Sequence, residues 1–183
     1  MRAGQLAPTN TKDALQAARG CPDAWYRVQA LASVAEHAAA PLVASILEEA
    51  AREALACPDT YGAVAVMSWP LRVAFVRGRR DFAERELAKS LALAARVEPA
   101  ASQAYALEAL WTACFSVDPD HAEPVWRKIL QLCHPDGSWR AARLYLHLAE
   151  LQDRRSPGAG ASVIGAMPPG KARAWLERRF RLA

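Results

Sequence analysis

The chain has 183 residues, 52% of them hydrophobic, with 23 Lys and Arg against 19 Asp and Glu for a formal net charge of +4. That length suits one domain with a substantial buried core. No run is long and apolar enough to span a bilayer, and Met1 to Asn10 lacks the apolar stretch of a secretory signal, so no membrane partner and a cytoplasmic location are expected.

Alanine makes up about a fifth of the sequence, well above ordinary usage, which favours closely packed helices. An Ala- and Arg-rich composition also follows from a GC-rich genome, so the net charge is weak evidence for a polyanionic partner. The four cysteines, Cys21, Cys57, Cys114 and Cys133, lack CxxC spacing and read as core or turn residues.

In chain order, residues 1–10 read as a loose arm and Thr11 to Arg19 as a short helix that shields one end of the fold. Asp23 to His37 carries Trp25, Val28, Leu31 and Val34 at helical spacing. Pro41 restarts the chain, and Leu42 to Ala56 is expected to bury Ile46, Leu47, Ala50 and Leu55. Asp59 to Arg77 contains Trp69-Pro70 inside an otherwise helical pattern. A proline there removes a hydrogen bond and clashes with the preceding turn, which predicts a kink or break, with a pocket beside Trp69 as its functional counterpart. Arg77-Gly78-Arg79-Arg80 reads as a solvated corner.

Gly78 to Glu98 and Ser102 to Val117 form two further amphipathic helices. Asp120 to Cys133 follows, with Pro124 assigned to its first turn and Trp126, Ile129, Leu130 and Leu132 as core candidates. Gly137 to Leu151 carries Trp139, Leu144, Leu146 and Leu148. Residues 156–170 read as a Gly/Pro-rich loop, and residues 171–183 as a basic helix whose Trp175, Leu176 and Phe180 dock back.

Four breaks recur: Cys21-Pro22-Asp23, Cys57-Pro58-Asp59, Glu98-Pro99-Ala100 and His134-Pro135-Asp136. Pro22 and Pro58 are 36 residues apart, Pro58 and Pro99 41, and Pro99 and Pro135 36. Such spacing suits two-helix units. Proline is tolerated in a first helical turn, and the following Asp can cap the free amides. With comparable apolar runs after each proline, residues 11–155 resemble tetratricopeptide-like and HEAT-like helical repeats. The match is best from Gly78 to Pro99, although the Trp, Leu-Gly and Tyr positions of a tetratricopeptide first helix are not all filled. The resemblance implies an all-α fold, a right-handed α-α superhelix of antiparallel pairs with about nine helices, and a class that hosts many functions.

Chemistry-bearing patterns are few. Gly165 to Lys171 has the glycine and lysine spacing of a phosphate-binding loop, but Ala172 stands where a Ser or Thr would hold magnesium, and only eleven residues follow it. His37, His121, His134 and His147 form no i, i+4 pair, and Glu48, Glu49 and Glu53 beside Arg52 read as a solvated face. No cofactor, metal site or enzymatic activity is expected. A protein-interaction module, adaptor or inhibitor, is the leading expectation, with another protein or an acidic peptide segment as partner. A nucleic-acid-binding repeat protein with a basic groove is the alternative.

In such repeats the first helix of each pair commonly lines a concave groove. The expected contact residues are Arg27, Tyr61, Trp69, Arg72, Arg140, Arg143 and His147, with Gln29, Gln103 and Glu108 on the same helices. Basic residues gather between Arg72 and Arg96 and again from Arg140 to Arg181. If the two clusters share a face, they suit an acidic segment or nucleic acid.

Overall fold

The computed structural model describes residues 10–117, 119–132, 139–167 and 169–181. The fold is all-α, with no strand among the described residues. Its helices are α1 (Thr11–Arg19), α2 (Ala24–His37), α3 (Ala40–Leu55), α4 (Thr60–Val66), α5 (Ser68–Val76), α6 (Arg80–Ala94), α7 (Ala100–Phe115), α8 (Pro119–Leu132), α9 (Trp139–Arg155), α10 (Ala159–Gly165) and α11 (Lys171–Arg181). Among the described residues, no helix is long and apolar enough to cross a membrane.

The turn chemistry acts as its residues dictate at the first two breaks. The Asp23 carboxylate accepts from the Tyr26 amide at 3.2 Å, and Asp59 accepts from the Gly62 amide at 2.7 Å. Each satisfies one of the amides that a helix start leaves unpaired. Asn10 does the same for α1 through the Asp13 amide at 3.1 Å. The third break differs: Pro99 itself occupies the N-cap of α7, without a side-chain cap. The fourth, at Pro135-Asp136, lies outside the described residues, as do Cys133 and His134.

The stretch from Asp59 to Arg77 is divided, and the break falls at Met67, three residues before Pro70. Proline has no amide to offer the Val66 carbonyl one turn earlier, so the hydrogen-bond ladder cannot pass through this point. The backbone at Met67 nevertheless stays in the right-handed helical region. Ser68 adds a local substitute, its hydroxyl donating to the Ala65 carbonyl at 2.7 Å. Pro124 also lies deeper than expected, inside α8 rather than in its first turn, because the helix begins at Pro119. The nine expected helices become more numerous through the division at Met67 and through α10, which forms inside the stretch read as a loop.

Helix pairs organise the packing. α2 packs on α3, α4 and α5 on α6, α7 on α8, and α9 on α10 and α11, while α1 covers α2. The first members of these pairs also touch in succession: α2 meets α4 and α5, both of those meet α7, and α7 meets α9. The core runs continuously between the two rows, with Leu31, Leu71, Leu107, Trp111 and Leu148 from the first row against Leu47, Ile129 and Ile164 from the second. Leu55, expected inside, is 67% exposed; it ends α3 one residue before the chain turns, past the last layer it could pack against.

Gly160 fixes how the chain closes. A Cβ there would stand 2.4 Å from the Ala149 carbonyl oxygen and 2.5 Å from Phe180 Cζ. Only a residue without a side chain lets α10 lie this close to α9 under α11. Asp153 secures the same corner, accepting from the Gly158 and Gly160 amides at 2.8 and 3.2 Å.

Candidate functional site

Side chains link the first-row helices in a register that follows the proline spacing. Trp25 of α2 stacks with Tyr61 of α4, ring centroids 6.2 Å apart, and Glu36 of α2 pairs with Arg72 of α5 through two bonds of 2.8 and 3.3 Å. Both partners are 36 residues apart, as Pro22 and Pro58 are. Arg140 of α9 lies over the Tyr105 ring of α7 at 5.3 Å, and His147 of α9 meets Trp111 of α7 edge-on at 6.5 Å. Those separations are 35 and 36, within one residue of the 36 between Pro99 and Pro135. Across the α5 to α7 step, where the prolines are 41 apart, Ser68 and Arg72 share a groove with Ala109 and Ala113, each pair again separated by 41.

That groove is the cavity expected beside Trp69. It encloses about 310 Å³ and is lined by Ser68, Trp69 and Arg72 from α5, by Ala109, Thr112 and Ala113 from α7, and by Ser116 at the C-cap of α7. Its floor is apolar because two alanines of α7 stand where larger residues would fill it. Trp69 forms a wall, 41% exposed. Its indole orientation is set from α2: with the Gln29 amide oxygen turned toward the indoles, it accepts from Trp25 Nε1 at 2.8 Å and from Trp69 Nε1 at 3.3 Å. The Ser68 hydroxyl donates to the Ala65 carbonyl of α4 and the Ser116 hydroxyl to the Ala113 carbonyl of α7, which leaves their oxygens as acceptors.

Of the seven expected contact residues, Tyr61, Trp69, Arg72, Arg140 and His147 join this linked row. Arg143 stands between Arg140 and His147 on α9, exposed and with no partner among the described residues. Arg27 does not join. It turns to the other side of α2, donating to the Glu53 carboxylate of α3 and the Cys21 carbonyl at 2.7 Å each. Gln103 is also withdrawn, buried and donating to the Ala94 carbonyl at 3.0 Å across the α6 to α7 turn.

Most of the basic run between Arg72 and Arg96 is engaged by protein. Arg77 donates to the Glu36 and Ala38 carbonyls, the latter at 2.8 Å, and Arg79 to the Ala40 carbonyl at 2.7 Å. These are carbonyls at the end of α2 and the start of α3, so the expected solvated corner is a clamp on the α2 to α3 turn. Arg85 bridges Glu48 of α3 and Glu86 of α6, Arg19 binds Glu49 through two 2.7 Å bonds, and Arg27 takes Glu53. The acidic face of α3 is therefore tied to α1, α2 and α6 instead of being merely solvated.

Titration behaviour marks three carboxyls, of which Glu49 is held below its ordinary range by the bonds from Arg19. Glu86 is almost wholly buried; burial pushes its carboxyl up, and bonds from Lys89 and Arg85 more than offset this, leaving it below the ordinary carboxylate range. Glu108, half-buried between α7 and α9, is raised by burial, with His147 opposing that shift. The Cys57 thiol is raised by burial and by Asp23 and Asp59 nearby, which disfavours the reactive thiolate. Among the described residues no group of three or more His, Cys, Asp and Glu is placed to hold a metal ion. Val163 and Ile164, just before the phosphate-loop-like spacing, lie in α10, so no strand leads into it.

The residues that sequence reading missed are Glu36, Thr112 and Ser116. For Glu36 a signal was present, since it precedes Arg72 by the same 36 residues that separate Pro22 from Pro58. Comparisons with protein-family models, with curated proteins and with solved structures give no match.

Proposed function

We propose that the chain is a cytoplasmic protein-interaction module, an adaptor or an inhibitor of a partner protein, built on helical repeats that follow a right-handed superhelix. It binds through the face shared by α2, α5, α7 and α9, and its role is binding and not catalysis. The observation that carries this reading is where the large exposed aromatics fall. Tyr26, Trp69, Tyr105 and Trp139 all belong to first-row helices, whereas the exposed large residues of α3 are the aliphatic Leu42 and Leu55. Of these Trp69 lines the groove, and a half-exposed aromatic beside a preformed groove is a typical anchor of a protein interface.

Nucleic acid is the less supported partner. Phosphate binding needs cations that release counterions on contact, and Arg72, Arg77, Arg79 and Arg85 are already bonded to protein oxygens.

Affinity capture from native cell extract, with and without nuclease, tests this with two baits. One is the wild-type chain. The other is Thr112→Trp, which fills the groove from an exposed position. The wild type is expected to retain a protein that nuclease does not release and that Thr112→Trp fails to retain. Retention that disappears with nuclease, or that is equal for both baits, contradicts the reading.

A further inference from the structure

Charge is divided unequally along the chain. From Trp139 onward it has nine Lys and Arg against three Asp and Glu, a net charge of +6, whereas the 138 residues before have 14 against 16, a net charge of −2. The carboxylates of the positive part are engaged or distant. Asp153 accepts from the Gly158 and Gly160 amides, Arg173 holds Glu177 at 2.8 Å, and Glu150 lies eleven positions beyond Trp139 on α9. Asp136, before α9, lies outside the described residues.

Two indoles show where this charge gathers. Trp139 of α9 meets Trp175 of α11 edge-on, with ring centroids 5.2 Å apart and planes at 77°. Their separation of 36 residues is that of Trp25 and Tyr61 and of Trp111 and His147, so α11 stands beside α9 as the first-row helices stand beside one another. Residues three or four apart are neighbours on a helix surface. Arg143 is therefore next to Trp139, and Lys171, Arg178 and Arg179 are next to Trp175. All four cations are exposed, and none has a partner among the described residues.

We propose that this end of the fold binds single-stranded nucleic acid, with a base stacked on Trp139 and phosphates set against Arg143, Lys171, Arg178 and Arg179. The surface lies beyond the groove between α5 and α7 and does not depend on the protein-interaction reading. Arg72, Arg77, Arg79 and Arg85 are bonded to protein oxygens, whereas these four cations are left to release counterions on meeting phosphate. The indoles choose among polyanions. An edge-on contact covers at most one face of one ring, and Trp139 is 64% exposed, so a flat stacking surface stands among the cations. Asp and Glu side chains of an acidic peptide use only the charge. An anionic lipid surface takes up the apolar side of a basic helix, but Leu176 is fully buried and Phe180 lies against Gly160.

Fluorescence anisotropy of a labelled oligothymidylate of about 16 nucleotides, titrated with the full chain at several salt concentrations, tests the proposal. Log affinity is expected to fall against log salt with a slope of about −0.7 for each phosphate contacted, or about −3 for four cations. Arg143→Gln combined with Arg179→Gln is expected to flatten that slope by about 1.4. Trp139→Ala is expected to weaken binding about fivefold or more at an unchanged slope, Trp139→Tyr to recover most of the loss, and Thr112→Trp, which fills the groove, to bind as wild type does. Each variant is first shown to unfold at the wild-type temperature. Absence of binding, a slope that the double variant leaves unmoved, or equal affinity for Trp139→Ala overturns the inference. Loss of binding in Thr112→Trp also overturns it, by moving the ligand to the groove. Displacement by polyglutamate or by phosphatidylserine vesicles as readily as by unlabelled oligothymidylate overturns it as well, by reducing the surface to charge alone.

Discussion

Glu36 and Arg72 stand 36 residues apart and close a two-bond ion pair between α2 and α5, the second bond 2.8 Å long. The same interval separates Pro22 from Pro58 and Trp25 from Tyr61. A shared interval in the sequence thus reappears as a shared interval of contacts, because helices that begin at similar turns and run side by side place residues that far apart at the same height.

Arg77 holds three carbonyls at the end of α2, and charged hydrogen bonds of this kind are worth about 1.5–3 kcal/mol each before solvent exposure is discounted. Arg77→Ala is therefore expected to cost about 2 kcal/mol, lowering the unfolding midpoint by about 4–8 °C for a chain of this size. Thermal unfolding by circular dichroism reads this directly. A midpoint within 1 °C of wild type, on the order of measurement error, would return Arg77 to the role of a solvated corner.

Gly160 offers a sharper steric test. Its missing side chain admits both the Ala149 carbonyl and the Phe180 ring, and overpacking a tight site costs about 1–3 kcal/mol. Gly160→Ala is expected to loosen α11, quenching less of the Trp175 fluorescence and destabilising the chain, whereas Gly165→Ala, where an added Cβ meets nothing within 4 Å, is expected to be neutral. Equal effects at the two positions would remove the close-packing argument.

Glu108 and Glu86 make opposite pH predictions. The folded-state pKa of Glu108 is raised, so its burial is harmless below the unfolded carboxyl pKa and becomes destabilising as pH rises through the folded value. Glu108→Gln is expected to stabilise at neutral pH and to lose that advantage in acid. Glu86 is lowered, so its stabilising contribution is present above the unfolded pKa and is lost as pH falls through the folded one. Glu86→Gln is expected to destabilise at neutral pH, less so near pH 3. Denaturant midpoints across that range decide both, and a pH-independent difference for either variant contradicts the assignment.

Much of the fold was legible because its signals are local. Asp23 and Asp59 cap the helices that follow them, as their position after Pro22 and Pro58 implies, and Pro70 interrupts its helix because its missing amide is a property of the residue alone. The helix at Ala159–Gly165 was not legible. Its Gly and Pro neighbours read as loop, and what holds the segment is the long-range contact of Gly160 with Ala149 and Phe180. Arg27 and Arg77 show the same limit at the candidate surface. Local pattern placed Arg27 on a helix and Arg77 at a corner, but which carboxylate or carbonyl would claim each guanidinium depends on neighbours 26 to 42 positions away. Trp69 was found for a local reason, its place beside the disruptive proline, whereas Thr112 and Ser116 are ordinary until α5 lies next to them.

The affinity of a captured partner for single-site variants tests the central claim most directly, with Trp69→Ala set against Leu55→Ala. Both residues are exposed and apolar, but Trp69 walls the groove and Leu55 lies on α3 in the second row. Anchor residues of this kind commonly contribute about 2 kcal/mol or more, so Trp69→Ala is expected to weaken binding by at least about tenfold while Leu55→Ala leaves it unchanged. Unaltered affinity for Trp69→Ala together with a loss for Leu55→Ala would place the binding surface on the second row and contradict the account.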